Sequence, residues 1–152
     1  MKLWKIVGAS WLGLLLMISA AQAANMAERV QVQDPWVGAP PPFARALGGF
    51  MVLKNPTDEP VVLVNAQATE FGSVMLHRSV NENGVHRMIH VDEVEVPRKG
   101  ELHFKHGGYH IMFMQPKKQF KAGDVIPVTL VFKDGSQKTI DYPVKKRMMM
   151  HH

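Results

Sequence analysis

No window of the 152-residue sequence sustains a helical period with caps at its ends. What recurs is short apolar or alternating runs broken by turn residues, the signature of strands rather than helices. The runs are RVQVQDPWV, ALGGFMVLKN, VVLVNAQAT, VMLHRSV, VHRMIHVDEVEVP, ELHFK, YHIMFM, VIPVTLVF and KTIDYPV. Between them stand Pro40 to Pro42, the cluster NPTDEP, the hairpin dipeptides Asn83-Gly84 and Asp134-Gly135, and the pair Gly107-Gly108. Asn-Gly and Asp-Gly supply the left-handed conformations of tight hairpins, and a glycine pair permits a sharp reversal. About eight or nine strands at this spacing predict an all-β domain, a sandwich or barrel. One such domain fits residues 24–145, and KKRMMMHH, residues 145–152, lies beyond the last strand signal, so residues 146–152 form a flexible tail.

The opening residues do not belong to this pattern. MKLWK is a short positive segment, IVGASWLGLLLMIS an apolar one, and Ala21 to Ala23 an A-x-A cleavage signal. Together they predict a secretory signal over residues 1–23, and hence an exported chain. The apolar run falls short of the ~20 residues of a comfortable span, so no stable membrane insertion is expected after cleavage. Without Lys2 and Lys5 the chain carries 16 basic and 13 acidic residues, a net +3. That mild excess, with no basic stripe interleaved with aromatics, gives no case for a nucleic-acid partner. The sequence has no cysteine. That removes a disulfide framework, a thiolate zinc site and a cysteine nucleophile. Any soft-metal chemistry must use thioether sulfur, which does not form disulfides in an oxidising compartment.

The chemistry-bearing residues are histidine and methionine, eight and nine after the signal. Every second residue of a strand points to one face. Met75 and His77 therefore share a face of VMLHRSV, and His110, Met112 and Met114 share a face of YHIMFM. Met88 lies between these runs, just past the Asn83-Gly84 turn. A lone methionine on an apolar strand is ordinary core filling, but two His/Met pairs at strand spacing would bury imidazoles that need partners. Thioethers with imidazoles select Cu(I); zinc favours thiolates, imidazoles and carboxylates, blue-copper electron transfer needs a thiolate, and calcium or magnesium needs clustered oxygens.

His77, Met88, His110 and Met112 stand in the spacing H-x10-M-x21-H-x-M. This resembles the signature of the periplasmic copper chaperones of the PCuAC family. DPWVGAPPP, VHRMIHV, GGYHIMFM and AGDVIPVTLVF also resemble the family, from about Val30 to Val144. The resemblance implies a cupredoxin-like Greek-key β-sandwich or barrel in the periplasm. It implies that His77, Met88, His110 and Met112 bind Cu(I) and pass it towards the CuA centre of cytochrome c oxidase. The acceptor would be subunit II of the oxidase or a Sco-type assembly factor. Copper storage or detoxification is the alternative within the same class. No acid–base pair accompanies the motif, so ligand exchange rather than catalysis is expected.

Other residues stay open. Met75 is an extra ligand or a neighbour of one, and Met114 an extra ligand or core. His86 and His90 share the face of Met88 and are expected to be exposed, as are His103 and His106. Trp36 is expected to pack, and Arg45 and Lys117-Lys118 to be solvated. The tail residues Met148, Met149, Met150, His151 and His152 either end the chain without a role or form a second site. In the second case the imidazoles would take Cu(II) and the thioethers Cu(I).

Overall fold

The structure is a computed structural model, and it describes residues 23–147. The expected signal, apart from Ala23, and the tail residues Met148 to His152 lie outside the described residues. A single helical turn, α1 (Met26–Arg29), precedes ten strands. These are β1 (Gln31–Gly38), β2 (Ala46–Asn55), β3 (Val61–Gln67), β4 (Phe71–Glu82), β5 (Val85–His90), β6 (Val94–Val96), β7 (Gly100–Phe104), β8 (Tyr109–Pro116), β9 (Val125–Phe132) and β10 (Gln137–Lys145). The count exceeds the expected eight or nine because the run VHRMIHVDEVEVP is two strands. It breaks at Val91 to Glu93, where β5 leaves β4 and β6 joins β3. No helix among the described residues is long and apolar enough to cross a membrane.

The strands form one hydrogen-bonded order, β5-β4-β8-β7-β2-β1-β10-β9-β3-β6. β1 joins its two halves by pairing in parallel with β10 and antiparallel with β2. The sheet doubles back on itself, so that β3 lies against β4 and β6 against β7. The result is a sandwich whose inner faces share one core, including Val37, Leu53, Leu63, Ile111, Phe113, Ile126, Leu130 and Tyr142. The buried Tyr142 hydroxyl donates to Met51 Sδ at 2.6 Å. Burial pushes its pKa up, since a phenolate there would lose its hydration.

Local chemistry explains the ends of the elements. Asn83 and Gly84 both have positive φ (53° and 80°), the conformation of a two-residue hairpin turn between Glu82 and Val85. α1 is held by a capping box between Asn25 and Glu28. It is tied to the β9–β10 turn by Met26 N–H donating to Asp134 Oδ2 at 2.8 Å. β2 is long enough to pair with two strands in succession. Ala46 to Gly49 pair with β8, and Met51 to Asn55 pair with β7.

From Ile111 to Met114 burial alternates along β8. Ile111 and Phe113 are fully buried, whereas Met112 and Met114 are half-buried and outside the core. Phe113→Ala should therefore cost about 3–5 kcal/mol of stability. Met112→Ala, on the opposite face, should cost about 1 kcal/mol or less. Urea unfolding of the two variants checks this, and equal losses would place Met112 in the core.

Candidate metal centre

β4 and β8 run antiparallel with Met75 opposite Met112, His77 opposite His110 and Ser73 opposite Met114. Directly opposed residues share a face. The intervening Leu76, Ile111 and Phe113 are buried in the core. Met75, His77, His110, Met112 and Met114 consequently line the outer face of the sheet. β5 extends that face on one side, with His90 opposite His77, Met88 opposite Ser79 and His86 opposite Asn81. His86, Met88 and His90 thus share a face and are exposed, as their alternation in the sequence implies. β2 continues the sheet on the other side, where Gly48 stands opposite Met112. A Cβ at Gly48 would meet the Phe50 ring at 3.3 Å.

The histidines of this face differ in environment. His110 is 5% exposed, although no part of it belongs to the hydrophobic core. Its Nδ1 lies 3.1 Å from the Gly108 carbonyl oxygen. A carbonyl only accepts, so Nδ1 carries the proton and Nε2 presents its lone pair. Nε2 is buried and has no hydrogen-bond partner among the described residues, and the same is true of His77 Nδ1. The two rings stand edge to face with centroids 5.8 Å apart, and His77 lies 6.1 Å from His90. Burial of the His77 ring, then the proximity of His110 and His90, hold its pKa below the usual imidazole value. The ring is therefore kept neutral, the form that binds metal. His90 Nε2 pairs with Asp92 at 3.1 Å, and His103 Nε2 with Glu101 at 2.8 Å.

A recess of about 190 Å³ opens on this face, lined by Met88, His110 and Met112 together with His106 and Arg147. Three of the four motif residues meet there, and His77 adjoins it through its contact with the His110 ring. Met75 and Met114 lie on the same face but outside the recess. Met88 is 62% exposed, so the recess has a sulfur at its solvent edge. His106 and Arg147 are the residues that sequence reasoning missed. Gly107, at φ 79°, turns the chain back after His106. The His106 ring packs on Phe50 at 4.2 Å, and Phe50 packs in turn on Trp36 at 4.9 Å. The only local hint was the sequence His-Gly-Gly-Tyr-His, with a reversal between its two histidines. Burial, Arg147 and His110 all lower the pKa of His106. Arg147 comes to the recess at the end of β10, which no local pattern announces.

Among the described residues no group of three or more His, Asp or Glu side chains is placed to hold a metal. On this face the imidazole of His110 is instead accompanied by the thioethers of Met88 and Met112. Two orphaned imidazole nitrogens beside Met112 and Met88 fit a soft monovalent ion and poorly fit an oxygen-seeking one.

Residues 30–144 match the family LpqE-like, described as "Putative lipoprotein LpqE-like". The chain is 33% identical over 141 residues to "Putative lipoprotein Lxx21020" of Leifsonia xyli subsp. xyli (strain CTCB07), covering 92% of this chain and 84% of that protein. Among solved structures, CuI-DR1885 from Deinococcus radiodurans superposes with a TM-score of 0.66 at 32% identity, over 86% of this chain and 85% of that one. The copper-bound PCuAC domain from PmoF2 superposes equally well, TM-score 0.66, at 24% identity over 78% of this chain and 94% of that one. The sandwich is therefore the cupredoxin-like fold of PCuAC domains.

The environment of His77 has a measurable consequence. Folding lowers its pKa, so below the ordinary value of 6.5 the unfolded chain binds the extra proton more readily. Above that value both states are neutral and the contribution vanishes. In NMR titration the His77 ring should titrate with a midpoint below 6.5. Between pH ~7.5 and ~5 the protein should also lose more stability to urea than His77→Gln does. A variant that loses just as much would contradict the assignment.

Proposed function

The chain belongs to the LpqE-like family, of PCuAC type, and from that premise we propose that it is an exported copper chaperone. It binds one Cu(I) on the outer face of the sheet through His77, Met88, His110 and Met112, and releases it by ligand exchange. The observation that carries this reading is the pair of buried, unpartnered imidazole nitrogens, His77 Nδ1 and His110 Nε2. Leaving such atoms without a partner costs free energy. Coordination to a soft ion beside two thioethers offsets that cost without burying charge on the ligands.

The chain's residues suit transfer better than retention. All four donors are neutral when they bind, so no anionic ligand holds the ion electrostatically. Met88 sits on β5, an edge strand paired only with β4, and is exposed. An incoming thiolate or imidazole can enter from that side while His110 and Met112, fixed by β8, still hold the ion. The Gly108 carbonyl fixes the His110 tautomer and so prepares Nε2 as the donor. No catalytic step is part of this reading. Delivery in the periplasm towards the CuA centre, with oxidase subunit II or a Sco-type factor as acceptor, is the destination proposed. The family name, that of a lipoprotein, supports export.

The tail is proposed as a second, weaker site. Met148 follows Arg147, which lines the recess. His151 and His152 would bind Cu(II), and Met148, Met149 and Met150 would bind Cu(I) once an external one-electron reductant has supplied the electron.

Chelator competition should find one tightly bound Cu(I) in the domain, with X-ray absorption showing both sulfur and nitrogen scattering. His110→Ala and Met112→Ala should each weaken binding by more than about tenfold, since losing even a partner that orients a ligand costs roughly that much, with the fold intact. Truncation after Arg147 should remove a second copper equivalent and leave the first unchanged. Undiminished Cu(I) affinity in both point variants would defeat the proposed site, and unchanged stoichiometry on truncation would leave the tail without a role.

A further inference from the structure

A second cleft, of about 760 Å³, has no histidine or methionine among its described lining residues and takes no part in the proposed copper site. It lies between the Pro40–Ala44 loop and the segment 116–122. Its floor is apolar, with Leu47 and Phe120 buried. Its rim carries Arg45, Lys117, Lys118, Lys121 and Lys146, and no acidic residue lines it. Among the described residues only Lys118 of these five has an ion-pair partner, Glu70 at 3.1 Å. Sequence alone assigned Arg45, Lys117 and Lys118 to ordinary solvated surface. The fold instead gathers them around one concavity.

Two features make this a built surface. Phe43 is 86% exposed, the most exposed large apolar side chain described, and has φ 61°. A left-handed conformation is unfavourable for an aromatic residue, and such strain persists where its surroundings impose it. Here three prolines precede it, and Ala44 N–H donates to the Pro41 carbonyl at 3.2 Å. The loop thus spends conformational strain to hold an aromatic ring in water. On the opposite wall, Phe120 stacks on Phe71 at 5.0 Å, and Lys121 N–H donates to Asp124 Oδ2 at 2.9 Å. That wall is anchored from beneath, with its lysines left on the outside.

The cleft also adjoins the copper recess. Leu47 lines both. The consecutive residues Arg45 and Ala46, and likewise Lys146 and Arg147, divide between the two.

We propose that this cleft is the docking site for an acidic protein partner that inserts an apolar side chain beside Phe43, which brings the partner's metal ligands over the Met88 edge of the recess. That this partner is the copper acceptor rests on the function proposed above; the docking surface itself does not. Charge complementarity selects an acidic occupant, because four of the five cations around the cleft have no ion-pair partner among the described residues. The buried apolar floor at Leu47 and Phe120 selects a protein, because an inserted side chain can reach it and a bilayer surface cannot. The cationic rim would steer encounter, and the apolar floor with Phe43 would supply the contact that lasts.

The test uses the chain from Ala24 to His152, copper-free and Cu(I)-loaded. The probe is the copper-free soluble CuA domain of cytochrome c oxidase subunit II. In NMR titration of the copper-free chain, shifts should concentrate in residues 40–45 and 116–121. Lys117→Glu/Lys121→Glu should weaken association about tenfold or more, the scale of electrostatic steering. Raising ionic strength well above ~0.15 M should do the same, since the screening length falls from ~8 Å towards ~3 Å at ~1 M. Phe43→Ser should weaken association while keeping its salt dependence. Cu(I) affinity by chelator competition should be unchanged in all three variant positions. Association on this face without any copper binding would support the docking site and remove only the copper reading. Shifts on another face, no association, indifference to both variants, or binding of this face to phosphatidylglycerol vesicles in place of the protein would overturn the proposal.

Discussion

The antiparallel pairing of β4 with β8 sets His77 opposite His110 and Met75 opposite Met112, with Leu76 and Ile111 directed to the other side. A strand that slipped by one residue would exchange its faces, sending imidazoles into the core and Ile111 and Phe113 into water. The core forbids that slip: Ile111 and Phe113 are fully buried, and burying each such side chain contributes roughly 1.5–3 kcal/mol. The register of the soft face is thus enforced from the opposite face by residues that have no metal chemistry. Gly49 belongs to the same lock, since a Cβ there would meet the Phe113 ring at 2.6 Å.

That arrangement separates stability from exchange. β8, between β4 and β2, is held on both sides and carries His110 and Met112. β5 is held on one side and carries Met88. If these residues are the donors proposed above, two of them lie on an inner strand and one on an edge strand, a site rigid at its base and accessible at its rim. Rigid donors reduce the ordering cost of capture, and an accessible one gives an incoming ligand a place to start. The cationic cleft borders the recess: Arg45, Lys117, Lys121 and Lys146 line it, and the exposed Phe43 stands beside them.

The basic cleft and the recess also differ in how they are assembled. The recess draws on β2, β4, β5, β8, the turn at His106 and the end of β10. The cleft draws on two loops and the same end of β10. Residues 146 and 147 therefore couple the two surfaces at the point where the chain continues towards its Met/His terminus.

The sequence by itself determined what depends on near neighbours along the chain. The period of two in YHIMFM comes from the covalent pleat of an extended backbone, so His110, Met112 and Met114 had to share a face. Asn83-Gly84 had to turn, and the absence of cysteine had to leave sulfur chemistry to thioethers. Even the strand count missed by one only because Val91 to Glu93 break a run whose two halves find different partners, β4 and β3. Only the tertiary structure decided what depends on strands meeting across long stretches of chain. It decided that the His110 face is the outer one, that His77 stands against it, that Met75 and Met114 fall outside the recess, and that His106 and Arg147 fall within it. It also decided that scattered basic residues ring one cleft. The physical reason is that a pleat fixes which residues point together, whereas the side they point to is fixed by what the sheet must bury, and that is a property of the whole core.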